Sequence, residues 1–525
     1  MHRFSVHFAA AAALLCAAAP AGAQNFRTAD SVTRRIWRLG MDSSQAERLA
    51  QVLIDSIGPR LSGTTGFTAA TEWLEATYRS WGVTARRDNY GTWRGWSHGT
   101  VHAELVRPRH QNFEIELLAW SPGTGGRPVE GDVVVMPMPA DSAAGAAWLR
   151  TVRGKFVLVS APEPTCRADQ ELERYARPAT VERMRSQRNA FSQDFGARHR
   201  AFRIGQGPQA VTFFRRLEDA GAAGAITLTW SRGWGVNKIF GSPTDRIPTI
   251  DLSCEDYGLL YRLAVNNQGP RMSLTANAEI GRSDVPMFNV IAELRGTELP
   301  NEYVLLSAHL DSWAGATGAT DNGTGTITML EAMRILSQAY PRPRRTILVG
   351  HWGSEEQGLN GSRAFVEDHP EVIDGLQIAF NQDNGTWRAD TLEAQGFARM
   401  GENLSRWVAQ LPGELSDHLR LVVPGPQNNA GSDHTAFICR GAPATRLQSA
   451  YPEYRQYTWH TNRDTYDKIV PDDLKNNATL AAMLAYAASE DPERVPRDRT
   501  QLPAGANGQP RAWPTCGTAR RSFTR

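Results

Sequence analysis

The sequence has no long apolar run after its first residues and no large excess of charge of one sign. Beyond the N-terminal segment, no stretch reaches the about 18 uninterrupted apolar residues typical of a membrane-spanning helix. The 57 Lys and Arg residues are nearly balanced by 55 Asp and Glu residues, giving a formal net charge of +2. Overall electrostatics therefore indicate neither a nucleic acid nor an anionic membrane as a partner. The 41% hydrophobic and 21% charged residues are typical of a globular protein.

Cysteine is also scarce, and its spacing excludes common cysteine-based sites. None of the 5 cysteines has the C-x-x-C spacing of a zinc or redox site. Apart from Cys16 in the N-terminal segment, they are Cys166, Cys254, Cys439 and Cys516. In an oxidising compartment these four can form two disulfides, but the sequence does not choose among the connectivities. We interpret them as structural rather than catalytic.

The N-terminal segment has the pattern of a signal peptide. A short basic start at 1–3 is followed by an apolar run at 9–19, which is too short for a membrane anchor. Small residues at 21–23 then fit signal-peptidase cleavage before Gln24. We predict that residues 1–23 are removed, and that the protein is secreted or periplasmic without a membrane anchor.

The remaining chain is long enough for more than one domain. Residues 24–125 have helical patterns followed by alternating strand patterns, and a Gly/Pro-rich boundary at 121–126 separates them from short strands in 126–282. Within that unit, the Arg-rich segment 167–203 has the composition of a long excursion.

Residues 283–490 alternate strand and helix patterns, as α/β domains do. The apolar runs 303–307 and 346–351 fit a sheet that is covered on both faces, with a helix at 325–339 between them. We therefore predict an α/β fold with a mixed sheet flanked by helices. The tail, residues 491–525, is rich in Pro, Arg and Gly without apolar periodicity, so we predict that it is disordered.

A series of His and acidic residues is the main chemical signal in the sequence. Most of its members follow a predicted strand, which is where α/β sheets place their ligands. Imidazole and carboxylate groups are the usual ligands of a hydrolytic zinc ion, and here they suffice for two metals plus one carboxylate as a base. The members are His309, Asp311, Asp321, Glu355, Glu356, Asp383 and His460.

Each member taken singly has an ordinary explanation. An adjacent pair such as Glu355-Glu356 is usually solvated, and a lone His after a strand is usually a hydrogen-bonded residue. Asp321 and Asp383 lie near Gly, where Asp commonly forms turns. The joint occurrence of all these residues, most of them at strand ends, favours metal-dependent hydrolysis. Asp311, two residues after His309, is expected to orient the imidazole.

Several segments together resemble the co-catalytic zinc exopeptidases, a family that includes carboxypeptidase Q (plasma glutamate carboxypeptidase) and secreted bacterial aminopeptidases. Residues 58–63, G-P-R-L-S-G, are similar to the N-terminal signature of this family. Residues 126–282 resemble the β-rich protease-associated domain that is inserted in many members. The other matching segments are S-A-H-L-D-S-W at 307–313, G-A-T-D-N-G-T-G at 318–325, S-E-E-Q-G-L-N-G-S at 354–362, N-Q-D-N-G at 381–385 and G-S-D-H-T-A-F at 431–437.

The resemblance implies a role for each residue of the series. It implies two Zn²⁺ ions, with Asp321 bridging them and a cis peptide bond after this aspartate. Glu355 would be the general base, and Ser432, Asp433 and His434 would lie on the substrate side. The other implied ligands are His309 and Asp383 for the first ion, and Glu356 and His460 for the second.

Two assignments remain open at this level. On residue type alone His434 competes with His460 as a ligand, and only the family pattern favours His460. Aminopeptidases of this family often have a Tyr immediately before the last His, where it stabilises the oxyanion, but this chain has Trp459. Tyr454 and Tyr457 are alternative donors, so the oxyanion role is unassigned.

The sequence thus predicts a secreted zinc exopeptidase that hydrolyses terminal bonds of small peptides or dipeptides. A glutaminyl cyclase-like enzyme with one zinc and an inactive receptor or binding protein are the alternatives, and the complete series argues against both. We expect a peptide substrate, no nucleic acid and no membrane anchor. A homodimer is compatible with the sequence, which specifies neither the oligomeric state nor the peptide terminus that is cleaved.

Overall fold

The computed structural model describes residues 28–383, 385–425, 431–450, 452–500, 504, 508–509, 512–513 and 515–523. The predicted signal peptide, residues 1–23, lies outside these ranges. Within them, no helix combines the length and the apolar character needed to cross a membrane.

The α-helices and strands alternate along most of the chain. The helices are α1 Ser31–Trp37, α2 Ala46–Gln51, α3 Thr65–Ser80, α4 Ser142–Leu149, α5 Asp169–Tyr175, α6 Pro178–Phe202, α7 Phe213–Ala220, α8 Cys254–Val265, α9 Thr324–Ala339, α10 Asn360–Asp368, α11 Pro370–Gly375, α12 Met400–Val408, α13 Gly413–Ser416, α14 His434–Ile438 and α15 Pro471–Glu490. The strands are β1 Thr84–Arg107, β2 Gln111–Asn112, β3 Ile115–Leu117, β4 Val129–Val135, β5 Phe156–Leu158, β6 Gly224–Thr227, β7 Trp230–Gly233, β8 Val236–Asn237, β9 Thr249–Leu252, β10 Arg271–Leu294, β11 Leu299–His309, β12 Arg345–Trp352, β13 Leu376–Asn381, β14 Ala389–Glu393, β15 Arg420–Val422, β16 Ala444–Arg446 and β17 Gln448–Ser449.

The central part of the main sheet is parallel and buried on both faces. Its strand order is β16-β13-β11-β12, and β10 pairs antiparallel with β12. Every residue of β12 and β13 is buried, since α9 and α15 pack against these strands and so do α10 and α14. The apolar runs in the sequence therefore mark these strands correctly, and the predicted mixed α/β fold is confirmed.

One long strand joins this sheet to the unit at 126–282. Residues 290–294 of β10 pair with β12, while residues 271–274 of the same strand pair with β4. The sheet then continues through the parallel strands β5, β6 and β9. Along the chain, helices α4 to α8 come between the strands of this unit. The unit is therefore α/β, whereas the prediction was a β-rich unit.

The tail after Glu490 is anchored over its described residues, so the prediction of disorder is wrong there. Cys516 forms a disulfide with Cys439, and a second disulfide joins Cys166 and Cys254 in the 126–282 unit. The Phe523 ring packs edge-on against Trp93 at 5.4 Å between centroids. Disulfide and aromatic contacts of this kind do not appear as apolar periodicity, which is why composition alone misled.

A buried histidine on β12 leads to a pH prediction. His351 is fully buried, and its Nε2 lies 2.7 Å from the hydroxyl of Tyr78. Burial lowers the pKa of His351 from 6.5 to about 3, so the folded protein keeps this ring neutral at pH values where the unfolded chain protonates it. The stability that depends on the neutral ring is complete above pH 6.5 and is lost as the pH falls towards 3.

We expect His351→Gln to flatten the acid side of the stability profile. Between about pH 5.5 and pH 4, the free energy of unfolding of the variant should fall less steeply than that of the wild type, by about 1.4 kcal/mol per pH unit. Urea denaturation at several pH values measures this slope. The exposed His110→Gln is the control, and an unchanged slope in His351→Gln would refute the assignment.

Candidate metal centre

The carboxyl ends of three parallel strands place most of the predicted site residues at one edge of the sheet. His309 is the last residue of β11, Glu355 and Glu356 follow β12, and Asp383 follows β13. Because these strands are neighbours and parallel, their ends meet at the same edge. The local sequence thus delivers an imidazole and carboxylates to one place.

Two clusters of possible metal ligands meet at Asp321. In the first cluster, His309 Nε2 lies 3.4 Å from Asp321 Oδ1 and 3.4 Å from Asp383 Oδ1. In the second, His460 Nε2 lies 3.3 Å from Asp321 Oδ2 and 2.9 Å from Glu356 Oε2. The ligand atoms of each cluster lie within 4.8 Å of one another. The two carboxylate oxygens of Asp321 therefore face two different imidazoles.

Unpaired polar atoms at this place fit bound cations. Within the described residues, His309 Nε2, Asp321 Oδ2 and Glu356 Oε1 are buried without a hydrogen-bond partner. Buried polar atoms of this kind are costly and uncommon unless a partner is supplied. Imidazole and carboxylate groups are the donor set that zinc prefers. The residues thus fit two metal ions that share Asp321.

The backbone around Asp321 is held by a second aspartate. The carboxylate of Asp464, a buried residue, accepts hydrogen bonds from Thr320 N at 2.7 Å and Asp321 N at 3.0 Å. The side chain of Asn322 donates to the carbonyl of Gln382 at 2.8 Å. The Asp321-Asn322 peptide bond is cis, as the resemblance implies. These contacts set the direction of the Asp321 side chain.

A buried arginine holds the loop that leads from His309 to Asp321. The guanidinium of Arg60 donates to the carbonyl oxygens of Leu310 at 2.8 Å, Thr317 at 2.7 Å and Gly318 at 2.8 Å. Burial lowers the pKa of Arg60 only to about 10, so the group stays cationic beside the acidic cluster. The sequence predicts no role for Arg60 or Asp464. Most of their partners are backbone groups distant in sequence. The only indication of Arg60 in the sequence is its place in the G-P-R-L-S-G segment.

Asp311 positions the site differently from the prediction. His309 Nδ1 donates to the backbone carbonyl of Asp311 at 3.0 Å, while the Asp311 carboxylate lies 3.7 Å away. This hydrogen bond leaves His309 Nε2 free of its proton and able to bind a cation. The carboxylate instead accepts hydrogen bonds from the backbone amides of Glu355 at 3.0 Å and Glu356 at 3.2 Å. Asp311 thus fixes the imidazole and both glutamates.

Glu355 belongs to neither ligand cluster. Desolvation raises the pKa of its carboxyl well above the ordinary value, and Asp383, Asp433 and Glu356 add to this effect against the opposing influence of His309. Bound cations would lower that pKa again. A carboxylate that ligates no metal but sits beside the ligands can accept a proton.

The two histidines that compete on residue type alone occupy different places. His460 lies beside Glu356 and Asp321, whereas His434 begins α14 and takes part in neither cluster. His434 and Asp433 are fully buried, and Asn381 donates to Ser432 at 2.8 Å. Burial raises the pKa of Asp433 to about 7 and lowers that of His434 well below 6.5. The segment 432–434 lies on the Asp383 side of the centre.

Aromatic side chains wall the second cluster. The indole N–H of Trp313 donates to Glu356 Oε2 at 2.8 Å. The Phe240 ring packs edge-on against His460 at 5.3 Å between centroids, and Trp459 stacks on His460 at 3.9 Å. The position before the last His therefore covers the imidazole with an indole face and offers no hydroxyl for an oxyanion.

Buried imidazole and carboxylate clusters that share one aspartate, with a further glutamate beside them, define a metal-dependent hydrolase. Residues 289–485 match the model of peptidase family M28, and both clusters and Glu355 lie within this range. The chain thus carries an M28 peptidase domain, and the predicted enzyme class, a metallo-exopeptidase, is confirmed.

Relatives with similar sequences extend over most of the chain. It is 25% identical to carboxypeptidase Q of Mus musculus over 454 residues, which cover 86% of this chain and 87% of that protein. It is 24% identical to carboxypeptidase Q of Homo sapiens over 452 residues, covering 86% of each. The resemblance stated from the sequence motifs is therefore confirmed.

Solved structures show the same fold. A peptidase M28 precursor from Shewanella amazonensis SB2B superposes with a TM-score of 0.62 at 21% identity, covering 90% of this chain and 98% of that one. BSAP, a zinc aminopeptidase from Bacillus subtilis, superposes with a TM-score of 0.53 at 17% identity, covering 90% and 98%. At these identities the likeness supports the fold class alone.

Proposed function

We propose that the protein is a secreted exopeptidase that uses two zinc ions to remove a terminal residue from small peptides or dipeptides. The observation that carries this proposal is Asp321, whose two carboxylate oxygens face His309 and His460, each with a further carboxylate beside it. A single-zinc enzyme would have no use for the second cluster. The proposal therefore favours a two-metal hydrolase over the cyclase-like alternative.

The ligand assignments follow from the clusters. His309 and Asp383 would hold the first ion, His460 and Glu356 the second, and Asp321 both. Two Zn²⁺ ions bound there would polarise the scissile carbonyl and acidify a water molecule. The indole N–H of Trp313 fixes one Glu356 oxygen, so that this carboxylate keeps its orientation.

Glu355 would move the protons. Its backbone amide is fixed on the carboxylate of Asp311, so its side chain starts from a defined point after β12. The preceding residue, Ser354, accepts a hydrogen bond from the Tyr90 hydroxyl at 2.7 Å, and its own hydroxyl lies 2.9 Å from that of Ser62. These contacts hold the turn after β12 in place. The carboxylate takes a proton from the attacking water and delivers it to the leaving amine nitrogen.

Other features support secretion and the domain arrangement in this proposal. Two disulfides, Cys166–Cys254 and Cys439–Cys516, suit an oxidising compartment, in agreement with the signal-peptide pattern at 1–23. Residues 24–125 and 283–490 would form the catalytic domain, and 126–282 the inserted protease-associated domain. The carboxypeptidase Q relatives align across all three segments.

A panel of dipeptides tests the proposed function. Each is offered with both termini free, with a blocked N-terminus and with a blocked C-terminus, before and after treatment with a chelator. We expect hydrolysis of at least one form, its loss on chelation and its return with Zn²⁺. A zinc-loaded protein that cleaves none of them, or cleavage that resists chelation, would overturn the proposal.

A further inference from the structure

The 126–282 unit reaches the metal centre through one short segment. Lys238 forms an isolated β-bridge with Thr461, and Ile239 N donates to the carbonyl oxygen of the ligand His460 at 2.8 Å. Just before this segment, Asn237 and Asn462 exchange hydrogen bonds of 3.0 Å. The segment after β8 therefore lies directly against the loop that carries His460.

This segment brings a cation beside the second cluster. The ammonium of Lys238 lies 3.9 Å from the centroid of the Trp459 ring, and the same indole stacks on the His460 ring at 3.9 Å between centroids. Trp459 thus contacts both the ammonium of Lys238 and the imidazole of a metal ligand. The guanidinium of Arg455 adds a second cation, 4.3 Å from the same indole.

The ammonium retains hydrogen-bonding capacity for a ligand. It donates to the carbonyl of Arg455 at 2.9 Å, and an ammonium has three donors. No carboxylate among the described residues forms an ion pair with Lys238, although each of the acidic ligands nearby has an imidazole partner. A cation that is partly withdrawn from water without an acidic partner is suited to an anionic group of the substrate.

The charge selects between the two ends of a peptide. A free N-terminal ammonium placed against Trp459 would be repelled by Lys238 and Arg455, whereas a C-terminal carboxylate would form charge-assisted hydrogen bonds. Successive Cα atoms lie about 3.8 Å apart, so the carboxylate of a one-residue leaving group stays within reach of a cation near the metal ligands.

We propose that Lys238 binds the free C-terminal carboxylate of the substrate, so that the enzyme removes one C-terminal residue, as a carboxypeptidase or dipeptidase does. This inference rests on the proposed function and deepens it. It also gives the 126–282 unit a part in substrate recognition, because Lys238, which binds the carboxylate, belongs to this unit.

Matched substrates test the inference. The full zinc-loaded chain is assayed with a dipeptide that has a free C-terminus and with the C-terminal amide of the same dipeptide. We expect the wild type to prefer the free acid by at least about 10-fold in kcat/KM, which is typical of losing one hydrogen bond to a charged group. Lys238→Met should lower kcat/KM on the free acid by about 10- to 100-fold, mainly through KM.

Control variants separate recognition from folding. Lys238→Met should change kcat/KM on the amide by less than about 2-fold, since the amide makes no ion pair with the ammonium. Lys238→Arg keeps the charge and should restore most of the preference for the free acid. Lys475→Met, on α15 where the half-buried side chain pairs with the exposed Asp472, should behave as the wild type. Zinc content and thermal unfolding confirm that each variant is folded.

The outcomes are distinguishable from a failure of the proposed function. If the wild type cleaves the amide as well as the acid, exopeptidase activity stands but the carboxylate site is wrong. If Lys238→Met loses activity equally on both substrates, the residue acts on the reaction or the fold, and the inference is likewise overturned. If the zinc-loaded wild type cleaves neither substrate nor any of the dipeptide panel, the proposed function itself fails.

Discussion

Replacing Glu355 with Ala is expected to lower the rate of peptide hydrolysis by about 10³- to 10⁴-fold while the zinc content stays at the wild-type level. The carboxylate belongs to neither ligand cluster, so its removal leaves every metal-binding group in place. It lies beside the ligands, and its backbone amide is fixed on the carboxylate of Asp311. The loss should therefore appear in kcat.

Two further variants make this result specific. Glu355→Gln keeps the shape of the side chain without the basic oxygen pair and should lose activity to a similar extent. Glu371→Ala, on the exposed start of α11, is the matched control and should keep full activity. Steady-state kinetics with the best dipeptide of the panel and metal analysis of the same samples give both readouts. Full activity in Glu355→Ala would remove the base assignment.

Replacing Asp321 with Ala is expected to have the other large effect, on the metal content itself. Its two oxygens face both clusters, so the variant leaves only His309 with Asp383 and His460 with Glu356. Zinc sites of enzymes usually have three protein ligands, so a site with only two binds zinc weakly. We expect the zinc content to fall below one ion per chain after dialysis. Activity should fall by at least about 10⁴-fold, because loss of the zinc ions removes both the Lewis acids and the activated water from which Glu355 would take a proton.

The exposed Asp472→Ala serves as the control for removing an aspartate. Asp321→Asn keeps the volume of the side chain and tests whether the charge is required. Retention of two zinc ions and of activity in Asp321→Ala would show that this carboxylate bridges nothing. Loss of folding, measured by circular dichroism, would be seen separately from loss of metal.

Much of the catalytic sheet could be predicted because buried parallel strands leave continuous apolar runs in the sequence. The runs at 303–307 and 346–351 lie inside β11 and β12, and the residues after them lie at the strand ends as expected. The contact made by Asp311 could not be predicted in the same way. Whether its carbonyl or its carboxylate meets the imidazole depends on the turn after β12, which the local sequence does not specify.

Residues whose partners are distant in sequence escaped prediction. Arg60 acts through carbonyl groups more than 200 positions away, and Lys238 reaches the His460 loop from a separate unit of the chain. The polar segment at 167–203 forms the helices α5 and α6, where ion pairs such as that of Arg188 with Glu163 add to the apolar packing of Phe195 and Phe202. Neither kind of contact has a periodic signature in the sequence.

The zinc content of the purified protein tests the central claim most directly. After dialysis against metal-free buffer, elemental analysis is compared with activity as Zn²⁺ is added back in steps. We expect two zinc ions per chain at full activity, held by clusters that share Asp321. Full activity with one ion would contradict the two-metal site and favour a cyclase-like centre. A protein that binds no zinc would contradict the proposed zinc-dependent exopeptidase.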